Sequence, residues 1–127
     1  MTRLYVVDDD RGFLEVVQEV ARPMGFDPVL ATAPKEFQAL WQGEADAVVM
    51  IDMIMPGTDG IEVLNWLSEQ GFAGKVIFVS GFAEQYTQVA SALATASGLK
   101  VVDRLAKPVR LARLREALTA AKDATAK

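Results

Sequence analysis

Apolar residues in this chain follow two different periods, and the places where one gives way to the other mark out its elements. Unbroken apolar runs read as strands buried on both faces, while apolar residues recurring every three or four positions read as helices. The clearest run is Val48-Val49-Met50-Ile51, which ends abruptly in Asp52. Met53-Ile54-Met55-Pro56-Gly57-Thr58-Asp59-Gly60 follows, and its Pro-Gly and Asp-Gly pairs predict a tight loop. Such a loop holds the Asp52 carboxylate at the rim of a sheet in a fixed orientation. The carboxyl ends of strands in an open parallel sheet are where ligands bind, so this acid is placed for chemistry.

The rest of the chain repeats the pattern. Arg3-Leu4-Tyr5-Val6-Val7 is a β-rich run ending in Asp8-Asp9-Asp10, and Asp10 is set to cap a helix carrying Phe13, Val16, Val17 and Val20, stopped by Pro23 to Gly25. Residues 26–31 predict a weaker strand, suited to an edge because Pro28 cannot donate to a ladder. Pro34 opens a second helix with Phe37, Leu40 and Trp41 as its stripe and Gly43 as its close. After Gly60, the residues Ile61, Val63, Leu64, Trp66 and Leu67 predict a third helix ending near Gly71.

Lys75-Val76-Ile77-Phe78-Val79 is another buried strand, which delivers Ser80 and Gly81 to the same rim. Val89, Ala90, Leu93 and Ala94 predict a fourth helix between Phe82 and Ser97, stopped by Gly98. A fifth strand around Val101-Val102 leaves the core at Ala106-Lys107-Pro108, and Val109, Leu111, Leu114, Leu118 and Ala121 mark the last helix. Residues 122–127 hold no large apolar side chain and are expected to fray or to begin a linker, which leaves 1–121 as the domain. Five strands alternating with five helices predict an α/β fold: a single doubly wound parallel sheet covered on both faces.

Composition narrows the chemistry. At 127 residues and 51% apolar, the chain is expected to be one globule around one core. Its formal charge of −4 argues against an electrostatic nucleic-acid binder, and no basic patch stands out. Without cysteine or histidine there is no disulfide framework, no thiol nucleophile and no imidazole base, so any metal must be held by oxygen. No signal-peptide pattern opens the chain and no apolar stretch approaches membrane-spanning length, so a cytoplasmic location is the expectation.

Each predicted strand can be asked what it presents at its carboxyl end. Strand one offers Asp8 and Asp9, strand three Asp52, strand four Ser80, and strand five Lys107. Alone, each has a plain structural role: a cap, a turn residue, a solvated loop charge. Together, three carboxylates repel one another unless a hard cation neutralises them, and magnesium suits a few carboxylates with retained water and a phosphate oxygen. A carboxylate beside such an ion, an ammonium and a hydroxyl can act as a nucleophile towards phosphorus.

Val6-Val7-Asp8-Asp9-Asp10, Ile51 to Gly60, Val79-Ser80-Gly81 and Ala106-Lys107-Pro108 resemble the signature blocks of receiver domains of two-component response regulators, in order and rough spacing from about Arg3 to Leu118. The resemblance implies a flavodoxin-like strand order of 2-1-3-4-5. It implies that Asp52 is the phosphoacceptor, Asp9 a direct magnesium ligand, Asp8 a partner acting largely through ion-bound water, and the Ile54 carbonyl a further ligand. Lys107 would pair with the phosphoryl group and Ser80 would move in to bond it. The donor would be a phosphohistidine on a sensor histidine kinase or a histidine phosphotransfer protein, and the reader a downstream effector or a fused output domain, with no direct role for nucleic acid or membrane.

Three features depart from the family. Arg104 stands where receivers usually carry an aromatic that rotates inward as the hydroxyl is recruited. The stretch from Ser80 to Lys107 is several residues longer than is common. Ile54 and Phe82 lie two residues beyond Asp52 and Ser80, where apolar side chains cannot orient a water attacking the aspartyl phosphate. Two other readings stay open from sequence: a pseudo-receiver serving as a constitutive protein-interaction module, and a phosphohydrolase with an aspartyl nucleophile, which would usually need a second acid and a cap.

Overall fold

The structure is a computed structural model, and it describes residues 1–55, 58–81 and 84–125. Five strands, numbered here in chain order, form the main sheet: β1 (Thr2–Val7), β2 (Phe26–Ala31), β3 (Val48–Asp52), β4 (Lys75–Ser80) and β5 (Lys100–Ala106). Five helices connect and follow them: α1 (Arg11–Ala21), α2 (Pro34–Leu40), α3 (Gly60–Glu69), α4 (Glu84–Ala96) and α5 (Leu111–Thr125). The strands run parallel in the order β2-β1-β3-β4-β5, the flavodoxin-like arrangement expected. Pro28 sits in the edge strand β2, where its missing N–H interrupts nothing.

Two apolar layers sandwich the sheet, as the near-continuous hydrophobic strands require. One layer joins Val49, Ile51 and Phe78 to Phe37 of α2, Val63, Leu64 and Leu67 of α3, and Ala90 and Ala94 of α4. The other joins Val6, Met50, Ile77 and Leu105 to Leu14, Val17 and Ala21 of α1 and to Leu114, Ala117 and Leu118 of α5. Each fully buried Val, Leu, Ile, Phe or Met side chain in these layers contributes about 1.5 to 3 kcal/mol of transfer free energy.

The helix faces differ in detail from the sequence pattern. In α1 the buried stripe is Leu14, Val17 and Ala21, and Val16 is exposed, because the sheet lies under the face one residue around from the expected one. Leu40, Leu93 and Leu111 are likewise exposed although each had the spacing of a core residue. α2 stops at Leu40, Trp41 being already extended, so Gly43 lies in the connection beyond it. α5 continues past Ala121 to Thr125, and Lys122 donates to the Met24 carbonyl. Among the described residues no helix is long and apolar enough to cross a membrane.

Candidate functional site

Where each strand stops decides what reaches the rim. The Asp8 N–H donates to the Ala31 carbonyl at 3.0 Å, so the β1–β2 ladder persists one residue beyond β1 and fixes the Asp8 backbone. The Met53 N–H does the same towards Val79, at 2.9 Å, and Lys107 N–H donates to the Ser80 carbonyl at 2.8 Å. Asp52, Ser80 and Lys107 thereby leave three neighbouring strands at one level. Gly60 lets α3 begin directly against this rim: a β-carbon there would lie 2.6 Å from Met53 Sδ and 3.0 Å from Ile51 Cγ2.

Around Asp52 the charges are tightly coupled. Asp8 is fully buried and Asp52 is 4% exposed, whereas Asp9 is exposed to solvent. Lys107 Nζ lies 2.8 Å from Asp8 Oδ2, 3.1 Å from Asp8 Oδ1 and 3.5 Å from Asp52 Oδ2, bridging the two buried acids. Backbone donors complete the set, Asp10 N–H to Asp8 Oδ1 at 2.9 Å and Ile54 N–H to Asp52 Oδ1 at 3.1 Å. The Asp10 side chain is used elsewhere, accepting from Phe13 N–H at 3.2 Å as the cap of α1.

Burial, reinforced by the Asp8 charge, pushes the Asp52 carboxyl up to about 6, against the opposing pull of the Ile54 N–H and Lys107. For Lys107, burial works downward, but its bond to Asp8 and the charges of Asp8, Asp52 and Asp10 outweigh it and hold the ammonium above its ordinary range. One cation therefore serves more acid than it can neutralise. Carboxylate oxygens of Asp8, Asp9 and Asp52 come within 4.8 Å of one another, an all-oxygen donor set of the kind a hard divalent cation takes.

The structure thus gathers Asp8, Asp9, Asp52 and Lys107 at one point, with Ser80, 6% exposed, ending the strand next to Asp52. Ile54 belongs to a two-residue antiparallel ladder, Ile54–Met55 against Thr58–Asp59, and its side chain is 44% exposed beside the acceptor. Phe82 lies outside the described residues. Arg104, on β5 opposite Phe78, is exposed.

Two participants were not foreseen from sequence. Phe13 places its ring 5.0 Å from Lys107 Nζ, a cation–π contact that steadies the ammonium, yet in the sequence it read only as part of a helical stripe. Asp103 and Arg113 form a bidentate pair with both bonds at 2.7 Å, joining β5 to α5. Their separation along the chain carries no local signal, since a strand residue and a later helix residue meet only through the fold.

Comparison with known proteins agrees with this arrangement. Residues 4–119 match the response regulator receiver domain family. The chain is 29% identical over 105 residues to the photosynthetic apparatus regulatory protein RegA of Rhodobacter capsulatus, covering 83% of this chain and 54% of that protein. It is 29% identical over 118 residues to the response regulator protein TodT of Pseudomonas putida, covering 93% and 50% respectively. It therefore spans about half the length of these relatives. Among solved structures, a response regulator from Colwellia psychrerythraea superposes with a TM-score of 0.80 at 26% identity, covering 97% of this chain and 98% of that one. A CheY-like receiver domain protein from Methanospirillum hungatei shares the fold, with a TM-score of 0.79 at 24% identity over 99% and 97% of the two chains. With nearly its whole length within the family match, the chain belongs to the receiver domains of two-component response regulators.

Proposed function

We propose that the chain is a phosphorylation-dependent switch that accepts a phosphoryl group on Asp52 from a phosphohistidine donor, a sensor histidine kinase or a histidine phosphotransfer protein. The observation that carries this reading is Lys107 Nζ lying 2.8 Å from Asp8 and 3.5 Å from Asp52, both acids buried at the end of parallel strands. An Asp52 oxygen attacks phosphorus, the bond from phosphorus to the donor imidazole nitrogen breaks, and the imidazole keeps the electron pair and takes up a proton. Asp52 is held for this by the Ile54 N–H on its other oxygen.

Lys107, already between the acids, shifts its charge towards an incoming phosphoryl oxygen, and the Ser80 hydroxyl closes on another. Asp8, Asp9, Asp52 and the Ile54 carbonyl are the groups that would hold magnesium. Bound there, the ion supplies positive charge against the phosphoryl oxygens. The exposed apolar side chain of Ile54 beside Asp52 has no group to orient an attacking water, which favours a long-lived phosphoryl state. The effect on partners falls on the face of α4, β5 and α5, read by a downstream effector or fused output domain, in the cytoplasm.

Intact-mass measurement after incubation with acetyl phosphate and magnesium tests this reading. A single phosphoryl adduct that is missing in Asp52→Asn is expected. No adduct would leave the pseudo-receiver, a constitutive interaction module whose acids are structural and whose exposed Arg104 freezes one state. Ile54→Asn is expected to quicken loss of the label, and an unchanged rate would refute the proposed water exclusion.

A further inference from the structure

The Lys107 ammonium has two kinds of neighbour, and only one of them is charged. Asp8 lies at 2.8 and 3.1 Å and Asp52 at 3.5 Å. The uncharged neighbour is the Phe13 ring, whose centroid is 5.0 Å from Nζ, within the distance over which a ring face attracts a cation.

The first turn of α1 fixes that ring. Asp10 caps the helix by accepting the Phe13 N–H at 3.2 Å, and the Asp10 carbonyl accepts from Leu14 N–H at 3.1 Å, directly after Asp8 and Asp9 in the chain. A β-carbon on Gly12 would lie 3.3 Å from the same Asp10 side-chain oxygen, so glycine leaves the cap room to form. Phe13 is itself half-buried against the layer built by α1 and α5, which limits where its ring can turn.

A ring offers this site something that a further acid would not. Hard divalent cations take oxygen ligands and keep their water, so an aromatic face does not compete for them, whereas an ammonium is drawn to acid and ring alike. The two cations of the site therefore contend for the acids but not for the ring. Asp8 gives both its oxygens to Lys107, and it is also one of the three acids grouped closely enough to hold an ion. If Asp8 turns to an ion, its hold on Lys107 weakens. The Lys107 side chain is 22% exposed and flexible, so solvent is then open to it.

We propose that Phe13 is a positioning residue for phosphoryl uptake at Asp52: its ring keeps the Lys107 ammonium inside the site once Asp8 turns to a divalent cation, within reach of the incoming phosphoryl oxygens. The inference rests on the proposed function, since it says how that switch retains the Lys107 ammonium. The first turn of α1 then has a task beyond capping, in which Asp10 holds Phe13 and Phe13 holds Lys107. Leucine at this position would complete the helical stripe equally well, but an aliphatic side chain has no ring quadrupole to hold a cation.

Two measurements on Phe13→Leu test this: magnesium affinity by isothermal titration calorimetry, and the rate of phosphoryl uptake by intact mass with acetyl phosphate and magnesium both saturating. A small donor is used so that protein docking on α1 plays no part. Uptake is expected to slow about three-fold, the size of a partly desolvated cation–π contact. Magnesium is expected to bind about two-fold more tightly, because a lysine free to leave no longer crowds the ion. A merely structural part for Phe13 would weaken both. Phe13→Tyr, which keeps the ring, should behave as the parent in both measurements. In a Lys107→Met background, Phe13→Leu should leave magnesium affinity unchanged, since the ring then has no ammonium to hold. Unaltered uptake, magnesium binding that is unchanged or weaker, a Phe13→Tyr variant unlike the parent, or a magnesium effect that survives in Lys107→Met would overturn the inference. The switch itself is judged on the parent protein. No adduct there, with Phe13→Leu still tightening magnesium binding, refutes the switch and leaves the ring's hold on Lys107 standing, whereas a normal parental adduct with an indifferent Phe13→Leu sinks the role of Phe13 alone.

Discussion

On the amino-end side of the sheet Tyr5 and Arg3 close on Glu44, while at the carboxyl end Lys107 stands between Asp8 and Asp52. The ingredients are alike, a network of acids and donors tied to β1, but the balance differs, the amino-end acid being only half-buried. Glu44 receives the Tyr5 hydroxyl at 2.7 Å and Arg3 Nε at 2.9 Å, and the Gln42 N–H donates to the Tyr5 oxygen at 3.1 Å. Burial works to raise the Glu44 carboxyl, yet its bond from Tyr5 brings it below the ordinary value, and burial with that same bond pushes the Tyr5 phenol up to about 12. Each proton there has one settled owner. At the other end two buried acids share one ammonium with Asp9 close by, and Asp52 is driven up instead of down. A network with matched charges stabilises; one left short of positive charge is poised to take a cation and a phosphoryl group.

Removing the single cation should widen this contrast most. Lys107→Met leaves Asp8, fully buried, with no side-chain counter-charge among the described residues, and breaking a buried pair in this way costs about 3 to 5 kcal/mol. The expected outcome is a large drop in the urea midpoint of the metal-free protein, partly restored by magnesium, and loss of the acetyl phosphate adduct. Unchanged stability would mean that Lys107 carries little of the charge balance inferred for the site.

Sequence made the carboxyl-end site far more legible than the amino-end one, for a physical reason. A parallel sheet gathers whatever follows each strand, so apolar runs ending in Asp8, Asp52, Ser80 and Lys107 are enough to bring those residues together. The Asp10 cap was legible from local chain geometry, whereas the strand order came only through the family resemblance. The Tyr5–Glu44 bond spans 39 positions and joins the middle of β1 to the connection before β3, a contact no periodicity announces. Helix faces were legible only to within a residue, because an extra apolar position such as Val16 or Leu93 satisfies the spacing without touching the sheet. A bulge at Val102 of β5, which decides the side Arg104 occupies, leaves no trace in a run of Val101-Val102-Asp103-Arg104.

A pH series sharpens the comparison from the side of the acceptor. The folded Asp52 carboxyl titrates near 6 against an ordinary value of 3.8, so the folded state binds its proton more tightly than the unfolded state does. Stability from this group is therefore greatest below the ordinary carboxylate pKa and falls as pH rises through about 6. Asp52→Asn removes that fall. The variant should match the parent near pH 3.5, to within about 1 kcal/mol, and exceed it by roughly 1 to 3 kcal/mol at neutral pH without metal. Magnesium should narrow the gap by stabilising the parent. A variant no more stable than the parent at neutral pH would show that the site's charges are already balanced.

Tyr5→Phe examines the settled end and is expected to have the smallest effect. The ring keeps its edge-on contact with Phe37, centroids 5.5 Å apart, and its tilted contact with Trp41 at 4.9 Å, so packing is conserved. What is lost is the hydroxyl between Gln42 N–H and Glu44. Glu44 keeps Arg3 as a partner, and the exposed Gln42 backbone can turn to water, which limits the cost to about 1 kcal/mol. Without the phenol the Glu44 carboxyl rises towards its ordinary value, so the variant forfeits stability that the parent holds above the carboxylate range and loses as pH falls through it. Parent and variant should therefore converge at low pH, and phosphoryl uptake at Asp52 should be the same in both. A variant that folds normally yet takes up phosphoryl more slowly would mean that the two ends of β1 are coupled after all.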